Sequence, residues 1–214
     1  MSSTWLMQRL MIWVPLVLSL SVHEWAHAWS AHRLGDDTAE RQGRLTMSPL
    51  AHIDPIGTFL LPLMGVPFGW AKPVPVNPLR FRRDVSMSRG MMITAAAGPI
   101  SNMVLAILAA VTLGVLFRFG LVREHTGVAP FLVMAIQINV SLALFNLIPV
   151  PPLDGSRVVD GLMPYRLRPM WEQVHRYGQF VLLGVVIFGG FLIAGPLGYV
   201  TDQIYRLVGT IARG

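Results

Sequence analysis

The run Val22-His23-Glu24-Trp25-Ala26-His27-Ala28-Trp29 closes an apolar stretch that opens near residue 7, and its reading decides what fold the chain can have. Residues i and i+4 share one face of a helix, so a helical 7–29 segment presents His23 and His27 side by side with Glu24 next to them. Two imidazoles at this spacing can hold one Zn²⁺, and the carboxylate can reach the water that such an ion binds. The His-Glu-x-x-His pattern alone also arises by accident in soluble proteins. Three ionisable groups inside an apolar run are harder to dismiss, because burying them unpaired is costly.

A catalytic zinc site usually has three protein ligands and one open position. The chain has no cysteine, which removes thiolate ligands and disulfides together and leaves His, Asp or Glu for the third place. Asp154 is the best candidate. It follows an apolar segment in Asn146-Leu-Ile-Pro-Val-Pro-Pro-Leu-Asp154-Gly155, and Gly155 lets the backbone turn sharply. The competing reading of Asp154 is a turn aspartate that caps the segment after the proline pair.

Composition supports a membrane setting independently. Hydrophobic residues make up 53% of the 214, charged residues only 13%, and mean hydropathy is +0.56, which excludes an ordinary soluble domain and implies an integral membrane protein. A formal charge of +6 raises nucleic acid as a partner. The arginines, however, punctuate apolar runs and form no basic face with interleaved aromatics, so the expected partner is the lipid bilayer and not nucleic acid.

Four charge-poor segments are long enough to cross the hydrocarbon core, which takes about 20 residues: 7–29, 90–117, 128–148 and 177–200. The last is interrupted by Gly189-Gly190 and Gly195-Pro196, where a kink or break is expected. Residues 201–214 read as a short helix lying on the membrane surface. Residues 55–71 are free of charge but broken by prolines and glycines, which predicts a re-entrant segment, a β-hairpin or short strands rather than a spanning helix. Lys72-Pro-Val-Pro-Val-Asn77 should be extended, since each proline pushes its predecessor out of helical geometry. The expected fold is therefore an all-α polytopic membrane protein. It forms a single domain over 1–214, with a three-helix catalytic core within 7–160 and further membrane helices at 177–212. Arg9, the apolar stretch after it and Ser19 and Ser21 also resemble a cleaved signal peptide. Cleavage there would destroy the helix that presents the histidines, so an uncleaved anchor is the preferred reading.

Orientation follows from the Lys and Arg count between spans. Arg33, Arg41, Arg44, Lys72, Arg80, Arg82, Arg83, Arg89, Arg157, Arg166, Arg168 and Arg176 fall on one side, and Arg9, Arg118, Arg123, Arg206 and Arg213 on the other. The richer side is cytoplasmic, so 31–89 and 149–176 are expected there, in a multi-pass protein of the cell membrane. His23 precedes Arg33 by a helical distance of roughly 15 Å. The metal site should thus lie below the cytoplasmic headgroups and open toward the cytoplasm.

The paired motifs His23-Glu24-x-x-His27 and Asn146-x-x-Pro149-x-x-x-x-Asp154-Gly155 resemble those of the site-2 protease family of intramembrane zinc metalloproteases. Gly98-Pro99-Ile-Ser-Asn102 and Gly69-Trp-Ala-Lys72-Pro-Val-Pro-Val-Asn77 resemble further elements of its compact bacterial and archaeal members, and the likeness covers most of 15–160. It implies one Zn²⁺ held by His23, His27 and Asp154, with Glu24 as catalytic base. It also implies transmembrane protein substrates, often cut to release a cytoplasmic regulator. The 214 residues leave no room for the PDZ or CBS domain of larger relatives, so substrate selection is expected to lie elsewhere.

Further contacts to substrate or transition state are open at four positions. Asn146 either hydrogen-bonds the substrate or ties helices together, and Asn139, one heptad earlier, would share its polar seam. Asn102 would pack against a neighbouring helix that Gly98 lets approach. His52 is a gate beside the zinc or a satisfied loop histidine. The extended segment through Asn77 pairs with substrate as an added strand or is a surface connection. Two other functional classes compete: a metal-binding scaffold or transporter, which would have no need of Glu24, and a zinc hydrolase of a lipid or small amide. Oligomeric state is not legible.

Overall fold

The computed structural model describes residues 3–64, 69–123, 128–188 and 190–214, and these residues contain helices and no strands. The order is α1 (Ser3–Arg33), α2 (Thr38–Arg41), α3 (Leu61–Met64), α4 (Met87–Arg118), α5 (Ala129–Asn146), α6 (Asp154–Leu162), α7 (Arg168–Phe188) and α8 (Gly190–Arg213), with short 3₁₀ and π turns between. Helices α4 and α5 are long and apolar enough to cross a membrane. The outer face of α4 carries Ile100, Val104, Ile107, Leu108, Val111 and Val115, all exposed. Its inner face is built of small residues, Gly90, Thr94, Ala95, Gly98, Asn102, Ala106, Ala110 and Gly114. Large apolar groups outside and small ones inside suit a helix whose solvent is lipid and whose neighbours approach closely.

Helix α4 is the centre of the bundle and is packed by α1, α5, α6 and α8, with α6 meeting it at Met92 and α8 at Gly114. Glycines end two of the long helices. Gly35 (φ +108°) and Gly120 (φ +65°) sit where the chain must turn left-handed. Around them Asp36 N bonds Ala31 O and Leu121 N bonds Leu116 O, closing the last carbonyls. The loop after α1 is then clamped: the buried Asp36 carboxylate accepts from the Thr38 and Asn77 backbone N–H groups at 3.0 and 2.6 Å.

Four expectations change. Residues 55–64 are helical turns, Pro55–Leu60 followed by α3, so the strand and hairpin readings fail over that stretch. The reason lies in Asp54, whose carboxylate accepts from the Ile56 and Gly57 N–H groups and caps a turn that Pro55 begins. Residues 65–68 of the predicted hairpin lie outside the described residues; 69–77 form neither helix nor strand, and Asn77, at the end of the segment expected to be extended, has extended backbone (φ −113°, ψ 101°).

The fourth apolar run is shared by α7, which starts as early as Arg168, and α8, which passes through Pro196 without ending. Gly189, half of the predicted break, lies outside the described residues. Residues 201–213 are no surface helix but the second half of α8, with Ile204 and Val208 buried against Ala106, Ala110 and Leu113 of α4. The absent side chain of Gly114 makes room for Ile211.

Asp154 is the first residue of α6 rather than part of a turn, and Gly155 has no left-handed φ. Gly155 is needed for proximity: a Cβ there would come within 2.5 Å of the Leu147 and Ile148 carbonyl oxygens.

Candidate active site

Helix α1 turns His23, Glu24 and His27 inward, and all three are buried. Their rings have little freedom. His23 Nδ1 donates to Asn102 Oδ1 at 2.6 Å, and His27 Nδ1 donates to the Thr94 carbonyl at 2.7 Å. The amide orientation of Asn102 is itself fixed, because its Nδ2 donates to Asn139 Oδ1 at 2.8 Å and to Ser19 O at 3.3 Å. Asn139 Nδ2 in turn donates to the Ala135 carbonyl at 2.8 Å. This relay of acceptors settles the tautomers: both Nδ1 atoms carry the hydrogen, and both Nε2 atoms present lone pairs.

Those lone pairs converge. His23 Nε2 and His27 Nε2 are 3.0 Å apart and lie 3.2 and 3.3 Å from Asp154 Oδ2, which has no hydrogen-bond partner of its own. Donors about 2.0–2.1 Å from a tetrahedral ion stand about 3.3 Å from one another, so the three atoms fit one zinc ion. Three electron-rich atoms facing each other away from water need a cation, and among the described residues His23, His27 and Asp154 are the group able to hold one. Gly98 is the floor of this arrangement, since a Cβ on it would meet both imidazoles within 2.6 Å.

Glu24 stands beside the group with one oxygen engaged: Oε2 accepts from the Val74 N–H at 2.8 Å. Val74 belongs to the 69–77 segment, which forms neither helix nor strand and which the rest of the loop pins in place. Thr58 Oγ1 donates to Trp70 O, Lys72 N to His52 O, and the buried Arg44 donates to Lys72 O, at 2.7, 2.9 and 2.6 Å. A cleft of about 1080 Å³ connects these parts. Its walls include His23, Glu24, His27 and Asp154, the segment from Gly69 to Val76, one face of α5, and Leu182, Val186 and Leu197 from α7 and α8.

The other expected residues divide. Asn146 lines the cleft, with its Nδ2 bonded to Leu142 O of its own helix. Asn102 is fully buried behind His23, where it accepts from the ring and ties α4 to α1 and α5, and it does not line the cleft. Asn139 joins Asn102 rather than Asn146. His52 and Asn77 do not line the cleft: His52 donates to Thr46 O at 2.8 Å, and Asn77 caps the turn Pro78–Arg80. The roles of the Thr94 carbonyl and of the Val74 N–H at Glu24 were not foreseen, because main-chain atoms leave no side-chain signature.

Residues 120–189, which hold α5 and Asp154, match the model of Peptidase family M50. The chain is 39% identical over 203 residues to "Putative zinc metalloprotease YwhC" of Bacillus subtilis, an alignment covering 92% of this chain and 90% of that one. It is 31% identical over 149 residues to "Putative zinc metalloprotease Rip2" of Mycolicibacterium smegmatis, covering 67% of this chain and 54% of the relative. Rip2 of Mycobacterium tuberculosis H37Rv is 28% identical over 192 residues, covering 89% and 70%. No solved structure matches. An alignment with YwhC that runs nearly end to end takes in both the histidine helix and Asp154, where three donors already call for a cation, and on that basis the chain belongs to peptidase family M50, the site-2 proteases, and is a zinc metalloprotease of the membrane.

Proposed function

We propose that this metalloprotease hydrolyses peptide bonds within or next to the membrane-spanning segments of other proteins, with His23, His27 and Asp154 as the zinc ligands and Glu24 as the base. One observation carries the reading: the convergent donors His23 Nε2, His27 Nε2 and Asp154 Oδ2 open onto a cleft walled by apolar helices. Zinc, when bound there, supplies an acidified water and polarises the scissile carbonyl. Glu24 would take a proton from the water that attacks the scissile carbonyl carbon and deliver a proton to the leaving amine as the C–N bond breaks. The relay through Asn102 and Asn139 and the Thr94 carbonyl keep both imidazoles aimed at the reacting centre. Leu16, Leu20, Leu142 and Leu153 line the cleft and limit water there.

The 69–76 segment is suited to hold an unwound substrate. Pro73 and Pro75 have no N–H, and that of Val74 is taken by Glu24, so over 73–75 the segment offers carbonyl acceptors alone. A substrate strand lying along it donates its own N–H groups to them. We take α1, α4 and α5 as crossing the membrane, with 31–89 and 149–176 in the cytoplasm, so that cleavage releases cytoplasmic regulators. A cysteine placed at Ser86 should resist an impermeant thiol reagent applied to intact cells and react after lysis; the chain has no native cysteine to confuse the result. Labelling from outside would invert the orientation. The substrate class is tested by comparing membrane proteomes of cells carrying the active chain and Glu24→Gln. Full-length single-span proteins should accumulate in the variant; accumulation of soluble proteins alone would contradict the proposal.

A further inference from the structure

Helix α5 carries four polar side chains among apolar ones: Gln137, Asn139, Ser141 and Asn146. Asn139 is consumed by the relay to His23, and the Asn146 amide is bonded back to its own helix. Gln137 and Ser141 differ from both. They are one turn apart, are exposed, and line the cleft on the same face as Ile138, Leu142 and Phe145. Several serines and threonines elsewhere in these helices bond back to a carbonyl three or four residues earlier, as Ser21, Ser101, Thr112 and Thr210 do, although Thr94 and Ser88 do not. Ser141 makes no such bond. The Gln137 amide lies near the Tyr205 hydroxyl of α8, which has no hydrogen-bond partner among the described residues, and opens into the cleft, so its four-bond capacity is free for a ligand there.

In a helix apolar enough to cross a membrane, hydrogen-bonding groups left over are costly unless a partner enters beside them. Both groups are held on a helix, on the cleft wall that also carries Asn146. Building on the reading of the chain as an intramembrane protease, we propose that Gln137 and Ser141 are specificity-determining residues that select substrate spans bearing a carboxamide side chain, Asn or Gln, near the cleaved bond. A carboxamide matches Gln137 as both donor and acceptor, while Ser141 takes up the remaining hydrogen bond. A site built to hydrogen-bond a polar group discriminates against the analogue lacking it more sharply than an apolar pocket discriminates by size.

The test uses the purified full chain with zinc and model single-span substrates that differ at one position. An Asn is walked along the side of the cleaved bond toward the N-terminal end of α5, and at the best position is compared with Leu and with Gly. The wild type should prefer Asn over Leu by about tenfold in kcat/KM, carried by KM, with Gly behaving like Leu. In Gln137→Leu combined with Ser141→Ala the Asn preference should vanish, while zinc content and cleavage of the Leu substrate stay unchanged. Gln137→Asn should restore part of the preference. An unchanged Asn-to-Leu ratio in the double variant overturns the inference, as does a Gly substrate that matches Asn, which would assign the preference to helix weakening. Failure of the wild type to cut any span would refute the intramembrane reading instead, so the two failures are distinct.

Discussion

Glu24→Gln is expected to keep about one zinc per chain and to lose cleavage by about 10²- to 10⁴-fold. The amide preserves shape and can still accept from Val74 N–H, but it cannot take the proton of the attacking water. The contrast is with His23→Ala, His27→Ala and Asp154→Ala, which should lose the metal together with activity, because two remaining donors hold zinc poorly. Zinc content measured beside cleavage of a model transmembrane substrate separates the groups. Full zinc occupancy in Asp154→Ala would remove that carboxylate from the ligand set, and normal turnover in Glu24→Gln would end the assignment of the base.

Gly98→Ala should be nearly as damaging although Gly98 touches neither metal nor substrate by any polar atom. Its new methyl would stand 2.5 Å from His27 Cε1 and Nε2 and 2.6 Å from His23 Cε1. The rings cannot yield easily, since each is tethered through Nδ1, one to Asn102 and the other to Thr94 O. Overpacking of this kind costs about 1–3 kcal/mol, and it falls on the aim of two ligands, so activity should drop by at least about 100-fold with weakened zinc binding. Gly184→Ala, where a Cβ meets nothing within 4 Å, is the matched control and should be neutral. Wild-type zinc affinity in Gly98→Ala would show that the imidazoles have slack.

What could be read from the sequence was what helical periodicity or chain chemistry encodes locally. His23 and His27 are four apart, so their common face follows from the helix itself, and the absence of cysteine narrowed the third donor to types that include Asp154. The role of Asn102 was not legible, because an asparagine that ties helices and one that steers an imidazole look alike until His23 is placed beside it. The 55–64 stretch was misjudged as strand-like because proline and glycine were read as breakers, whereas Asp54 converts the same residues into a capped turn. Residues 201–213 looked amphipathic enough for a membrane surface; their apolar side faces α4, a long-range fact that periodicity does not contain.

The relay from the Ala135 carbonyl through Asn139 and Asn102 to His23 gives the molecule a remote dial on its ion. Each amide has one orientation that suits its neighbours, so a change at Asn139 removes one of the two acceptors that hold the Asn102 amide and loosens the aim of His23 without touching a ligand. In descent, then, zinc affinity can drift through the interior of α5 while every ligand stays the same. Two relatives with identical ligands can differ in how much metal they require, and the reason would be found one helix away from the ion.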